Sequence, residues 1–314
     1  MPENKIAGVE CGADESQATI FSAHPTRETQ LGNLSIARAL PIRERRMVGP
    51  WCFLDRFGPL TFADAKPMTV PPHPHIGLQT ISWLLEGEVR HTDSLSSEAV
   101  ICPGGVNVMT AGKGIAHAEE TPTVNSGRLS GVQLWVALPD EVRHTDPSFT
   151  SIEQVPILEM KGGIVQLFAG SFQGVTSPAS YFSDILGMDM QVHPHQTAQI
   201  PLNPQFEHAV LLLDGDLSIE NQPIEPNLLY FLGTCREDLT VTSRTGGRVL
   251  LIGGTPFPEK ILMWWNFVAR TPEEIRQART DWEADRRFGT VTSTDLQRLS
   301  APDLARFAQP NPIS

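Results

Sequence analysis

Two short clusters in this chain are built for metal ligation, His73-Pro74-His75 and His117-Ala118-Glu119. Side chains alternate faces along an extended strand, so His73 and His75 point the same way, as do His117 and Glu119. Each cluster is a pincer of two ligands. Brought together across a β-barrel they offer three imidazoles and one carboxylate, a set suited to one divalent transition metal rather than to calcium or magnesium. A single pair means little, because histidines also serve as hydrogen-bonded core or surface residues. Two pairs beside glycine-rich turns are far more specific, and two unrelated strand edges would not explain why a carboxylate shares a face with His117.

The elements around these clusters read as strands. Thr80-Ile81-Ser82-Trp83-Leu84-Leu85 is β-branched and aromatic, and Glu86-Gly87-Glu88 followed by Val89 to Ser94 predicts a hairpin turn and its return strand. With pairing unbroken from His73, the residues Gln79, Ile81 and Trp83 fall on the histidine face and are expected to shape the pocket. Ala111-Gly112-Lys113-Gly114 then delivers the second pincer, its glycines permitting close approach. The hairpin puts His91-Thr92-Asp93 beyond the turn, in a solvated or locally bonded role. His193-Pro194-His195 repeats the first cluster. Aligning Asp214-Gly215-Asp216 with Glu86-Gly87-Glu88, however, puts Pro201 and Asn203 where His73 and His75 stand. A second metal site, with only Glu207 and His208 as helpers, is not expected.

Composition bounds the rest. A chain of 314 residues is long enough for two domains. With a net charge of −12 and no long Lys/Arg run, direct nucleic-acid binding is disfavoured. Cys11, Cys52, Cys102 and Cys235 form no C-x-x-C pair, which fits a reducing compartment, the cytoplasm, better than a disulfide framework. Met1 to Ser16 lacks an apolar export core and no apolar run approaches the roughly 20 residues of a membrane span, so no membrane role is expected.

Pro and Gly punctuate short apolar runs, which predicts an all-β chain. Residues 1 to about 30 read as a loose arm, and the first strand is expected at Leu34 to Leu40. A polar connector from Glu141 divides residues 1–140, a barrel with the metal site, from residues 141–292, a second barrel of related plan. Thr271-Pro272-Glu273-Glu274 opens a C-terminal helix whose apolar face is Ile275, Ala278 and Trp282. Residues 293–314 form a tail with short helices expected near Asp295 to Leu299 and Ala301 to Phe307.

With those residues in view, four segments resemble the pirin family of the cupin superfamily. They are Phe53 to Pro59, Pro72 to Gly77, Glu86-Gly87-Glu88 and Thr110 to Glu119, supported by Gln133 to Val136 and Asn266 to Val268. The resemblance spans roughly residues 30 to 290. It implies a bicupin, two antiparallel β-barrels with iron in the N-terminal one only, held by His73, His75, His117 and Glu119. Bacterial pirins are associated with quercetin 2,3-dioxygenase activity and eukaryotic ones with nuclear co-regulation of transcription. Where pirins often read His-Arg-Gly-Phe-Glu-Thr, this chain reads His75-Ile76-Gly77-Leu78-Gln79-Thr80. It lacks an arginine and a carboxylate there, which leaves Glu119 as the anionic ligand.

The expected activity is therefore oxygenation of a small aromatic flavonol such as quercetin, with Fe(II) preferred and Mn, Ni, Cu, Co or Zn also compatible. Glu119 doubles as the base. Two alternatives use the same scaffold. One is a non-catalytic redox sensor that binds a protein partner through an iron-dependent surface. The other is a metal-dependent isomerase or hydrolase that needs no oxygen.

Overall fold

The computed structural model describes residues 21–31, 34–63 and 67–304. The chain opens with β1 (Ser22–Pro25), β2 (Arg27–Leu31), β3 (Leu34–Leu40), β4 (Trp51–Thr61), β5 (Thr69–His75) and β6 (Leu78–Gly87). It continues through β7 (Val89–Asp93), β8 (Glu98–Ile101), β9 (Val106–Thr110), β10 (Ile115–Glu120), β11 (Arg128–Ala137) and β12 (Ser148–Ile152). Strands β12-β9-β6-β11-β4-β3-β2 make a seven-stranded antiparallel sheet, and β5-β10-β7-β8 make a four-stranded one. Residues of both sheets line the cavity between them.

The second domain comprises β13 (Ile157–Met160), β14 (Gly163–Phe172), β15 (Val175–Thr176), β16 (Ile185–Val192), β17 (Thr197–Pro201), β18 (Glu207–Ile219), β19 (Gln222–Pro223), β20 (Leu228–Gly233) and β21 (Asp238–Gly254). With β1 these strands form one ten-stranded sheet wrapped around its own apolar core. Asp214-Gly215-Asp216 lies inside β18, where register shifts against β21 bend the strand, so the turn expected there is a bend. The architecture is all-β, two cupin domains and a single helix among the described residues.

Strand pairing crosses the expected boundary between residues 140 and 141. β1 pairs with β20, which ties the supposed loose arm to the second domain, and β12 pairs back onto β9 of the first. β22 (Leu262–Trp264), β23 (Phe267–Ala269) and α1 (Pro272–Glu283) also return to the first domain. There Phe267, Ile275, Ala278 and Trp282 pack against Ile76, Ala116 and Ala118. The helix begins as expected, with Thr271 Oγ1 accepting from Glu274 N at 3.3 Å. Residues 295–299 are not helical. Leu299 instead donates its N–H to Pro72 O at 2.9 Å and reaches the rim of the cavity. The second expected short helix, Ala301 to Phe307, lies partly outside the described residues, and Met1 to Ser16 lies wholly outside them.

Two glycine corners decide which side chains face that cavity. Gly77 has φ +70°, and a Cβ there would stand 2.1 Å from Val268 O, so only glycine fits. At this corner β5 ends and the chain enters the other sheet, which restarts the alternation of faces. Gln79, Ile81 and Trp83 therefore turn away from the histidines, contrary to expectation. Ile81 and Trp83 join the core shared by the two domains, together with Leu54, Phe168 and Ile252. The Trp83 ring stacks on Phe168 at 5.1 Å, and its Nε1 donates to Asp189 Oδ2 at 2.7 Å. Gln79 Nε2 donates to Thr110 Oγ1 and to Ser180 O. The second corner is Gly87, φ +88°. No hairpin forms around it, because β6 pairs with β11 and β9 whereas β7 pairs with β10 and β8.

Cys52 and Cys102 are free thiols, but Cys235 is disulfide-bonded, which departs from the expectation of unpaired cysteines. Among the described residues no helix is long and apolar enough to cross a membrane.

Candidate metal centre

β5 and β10 run antiparallel with His73 directly opposite His117, and His75 opposite Ile115. This register converges the three rings. Their centroids lie 5.0 Å (His73–His75), 4.4 Å (His73–His117) and 5.0 Å (His75–His117) apart. One nitrogen from each lies within 4.8 Å of the others, and all three residues are buried. Among the described residues this is the one such group of three or more metal-ligating side chains.

The outer nitrogens are already engaged. His73 Nδ1 donates to Pro71 O at 2.8 Å, and His75 Nδ1 donates to Asn266 O at 3.1 Å. A carbonyl only accepts, so the proton of each ring sits on Nδ1 and the lone pair on Nε2. His117 Nδ1 faces His91 Nδ1 at 3.3 Å, and His117 Nε2 is buried with no hydrogen-bond partner. An orphaned buried nitrogen is costly unless something occupies it, and a divalent metal ion matches the donor set. Burial pushes the His73 pKa down to about 4. Burial and then the neighbouring imidazoles hold His75 and His117 well below the usual range. All three are neutral at neutral pH, the state in which imidazole ligates.

Glu119 lines the same cavity, but its carboxylate is not among the converging donor atoms. The pairing of β10 with β5 shifts register here, with the extra residue in β5 between Val70 and His73, so Glu119 stands opposite Val70. Ser82 Oγ lies 3.3 Å from Glu119 Oε1 and 2.9 Å from Gln133 Oε1, and the single hydroxyl proton serves one of the two. Burial raises the Glu119 pKa, against the opposing pull of His91 and Ser82.

The cavity holds about 380 Å³, within the usual small-molecule range. One wall is aromatic: Phe53 stacks on Trp135 at 3.9 Å, and Trp135 meets the edge of His75 at 5.1 Å. Beyond it Arg38 binds Asp55 through two 2.8 Å hydrogen bonds, with its guanidinium 4.5 Å from the Phe53 ring centre. Met68, Val70 and Phe57 supply apolar surface, and Trp265, Asn266 and Leu299 complete the lining. Arg38, read along the sequence as interrupting the Leu34, Ile36 and Leu40 face, and Asp55, within the Phe53 to Pro59 motif, were not expected at the site, although a charge in the middle of an apolar strand face was the signal at both.

His91 also lies elsewhere than the hairpin implied. Because β7 pairs with β10, it stands opposite Glu119 with its ring 5.2 Å from that of His117, buried, and stacked on Phe149 at 4.1 Å. Its local bond to Asp93 is present at 3.2 Å, but it is not solvated. His193 and His195 are exposed, and His208 is buried far from any such cluster.

Fold and site together define a bicupin whose N-terminal domain carries a histidine triad suited to a divalent metal ion. The Pirin family model matches residues 33–136 and the Pirin C-terminal cupin domain model matches residues 187–289. The chain belongs to the pirin family. It is 43% identical over 274 residues to the Pseudomonas aeruginosa protein named "Putative quercetin 2,3-dioxygenase PA1205", covering 87% of each. It is 38% identical over 268 residues to a pirin-like protein of Caulobacter vibrioides, covering 83% of this chain and 92% of that one. The crystal structure of a quercetin 2,3-dioxygenase from Acinetobacter baumannii superposes with a TM-score of 0.90 at 40% identity, over 94% of this chain and 98% of that one.

Proposed function

We propose that this protein is an iron(II)-dependent dioxygenase acting on a flavonol-type substrate such as quercetin. The observation that carries this reading is the set of three neutral, buried imidazoles converging at a cavity large enough for a small aromatic molecule. The names of the relatives support the substrate class. His73, His75 and His117 would hold the ion, and Glu119, whose carboxylate stands outside the converging set, would be a labile anionic ligand that can leave it to act as a base. The bound ion supplies Lewis-acid and redox chemistry toward an enolisable substrate and dioxygen.

The chain's own residues do the rest. The Phe53–Trp135 stack offers a flat face to a planar ring, and the surrounding apolar surface excludes water. Glu119, whose burial favours holding a proton, accepts the proton of the substrate hydroxyl. Arg38 and Asp55 meet polar substituents at the end of the aromatic wall. The departures at Ile76 and Gln79 do not bear on this chemistry, since Ile76 packs against Phe267 and Gln79 faces the second domain.

The cavity favours this reading over a redox sensor, which calls for a small or closed pocket. Iron-loaded protein is expected to consume oxygen with quercetin and to lose that activity in His75→Ala. No oxygen uptake with several flavonols at full metal occupancy would overturn the proposal, and turnover without oxygen would favour an isomerase or hydrolase.

A further inference from the structure

Behind the triad runs a chain of hydrogen bonds that the proposed chemistry does not use. His117 Nδ1 lies 3.3 Å from His91 Nδ1, and His91 Nε2 lies 3.2 Å from Asp93 Oδ2. Asp93 Oδ1 accepts the backbone N–H of Leu95 at 2.8 Å and of Ser97 at 2.9 Å. Every member is buried: His91 is 4% exposed, Asp93 1% and His117 1%. Phe149 covers the His91 ring nearly parallel, at an interplanar angle of 3°. His117 thus differs from His73 and His75, whose outer nitrogens face carbonyl oxygens that can only accept. Its outer partner is an imidazole, which either donates or accepts depending on where its own proton lies.

We propose that Asp93 and His91 are positioning residues that set the tautomer of His117, so that its inward Nε2 carries a lone pair for a metal ion. With His91 neutral, its one proton must lie on Nε2, pointing at Asp93, because the carboxylate only accepts. His91 Nδ1 is then a bare acceptor. Facing it, His117 Nδ1 must carry the proton, and His117 Nε2 is left free. Each step follows from donor and acceptor capacity alone, and the direction of the whole chain is decided at Asp93. Histidine ligands generally owe their orientation to such outer partners. What is specific here is that the partner is two links long and reversible.

That reversibility supplies the test, which rests on the reading that His117 binds metal through Nε2. In Asp93→Asn the oxygen must stay with the Leu95 and Ser97 amides, because those two groups donate. The new NH₂ then faces His91 Nε2 and donates to it. The His91 proton is forced to Nδ1, and the His117 proton moves to Nε2, where it blocks the metal position. An isosteric change two residues removed from the ligand should therefore weaken metal binding.

Cobalt(II) is the probe, titrated into metal-free full-length protein and read by its visible absorption. Asp93→Asn is expected to bind about 10- to 100-fold more weakly than wild type, the range typical of lost outer partners. His91→Phe keeps a ring against Phe149 but offers no acceptor and should weaken binding similarly. His91→Gln can accept from His117 and donate to Asp93, so it should restore most of the affinity. Nitrogen-15 NMR of the metal-free proteins reads the cause directly, with His117 protonated on Nδ1 in wild type and on Nε2 in Asp93→Asn. Wild-type affinity in Asp93→Asn or His91→Phe, or an unchanged His117 tautomer in Asp93→Asn, would overturn the inference while leaving the metal site intact. Failure of wild type to bind cobalt would overturn the metal site itself, and the NMR comparison would still decide the tautomer.

Discussion

The buried imidazoles make a quantitative demand on stability in the metal-free protein. His73 has a folded pKa of about 4, against 6.5 when exposed, with burial as the main cause. Between those values the unfolded chain binds a proton that the folded chain refuses, so stability rises with pH across that window and is lost as pH falls through it. At about pH 7.5 neither state is protonated and the full contribution is present. By about pH 5 the unfolded ring is nearly all charged and the folded ring nearly all neutral, a loss of about 2 kcal/mol from His73 alone. His75 and His117 shift in the same direction. Glu119 shifts oppositely, because a carboxyl with a raised pKa favours the folded state as pH falls. The clean measurement is therefore a difference. Urea unfolding of metal-free wild type and His73→Gln at both pH values should show the wild type losing about 2 kcal/mol relative to the variant on acidification. A gap between the two proteins that stays constant across the window would refute the claim that His73 is held neutral by burial.

Other substitutions probe the corners and walls. Trp83→Ala removes a buried indole shared by the two domains and should cost about 3–5 kcal/mol, with cobalt affinity unchanged. A large loss of metal affinity in a still-folded variant would return Trp83 to the pocket. Gly77→Ala places a methyl 2.1 Å from Val268 O at φ +70° and should destabilise by more than about 1 kcal/mol, seen as a lowered melting temperature. An unchanged melting temperature would contradict the strained corner. Arg38→Met strips the buried Asp55 carboxylate of two N–H donors and should cost about 3 kcal/mol in urea unfolding. Wild-type stability there would mean the pair is not held as described.

Much of the site was legible because it depended on alternation within single short strands. His73 and His75 share a face whatever the strand pairs with, and so do His117 and Glu119, because the extra residue of the register shift lies in β5, between Val70 and His73. The helix was equally local, since Thr271, Pro272 and the Ile275–Ala278–Trp282 stripe act within a few turns. The pocket walls failed for the opposite reason. Assigning Gln79, Ile81 and Trp83 to the histidine face required the alternation to continue through Gly77, and one positive-φ residue was enough to break it. The supposed hairpin at Gly87 failed in the same way and concealed His91. Arg38 and Asp55 look like ordinary strand charges until β3 and β4 pair them over a cavity.

Residue types and their spacing could be read along the chain: two histidine-bearing strand segments, the glycines beside them, an acidic composition and a resemblance to one family. These follow from local geometry, which has a fixed period and needs no partner. That His73 stands opposite His117, that the Glu119 carboxylate lies outside the converging donor set, and that His91 and Asp93 stand beside the ligand came from the folded arrangement. Strand register and the passage of a chain from one sheet to another are settled by contacts between residues distant in sequence. No period along the chain records them.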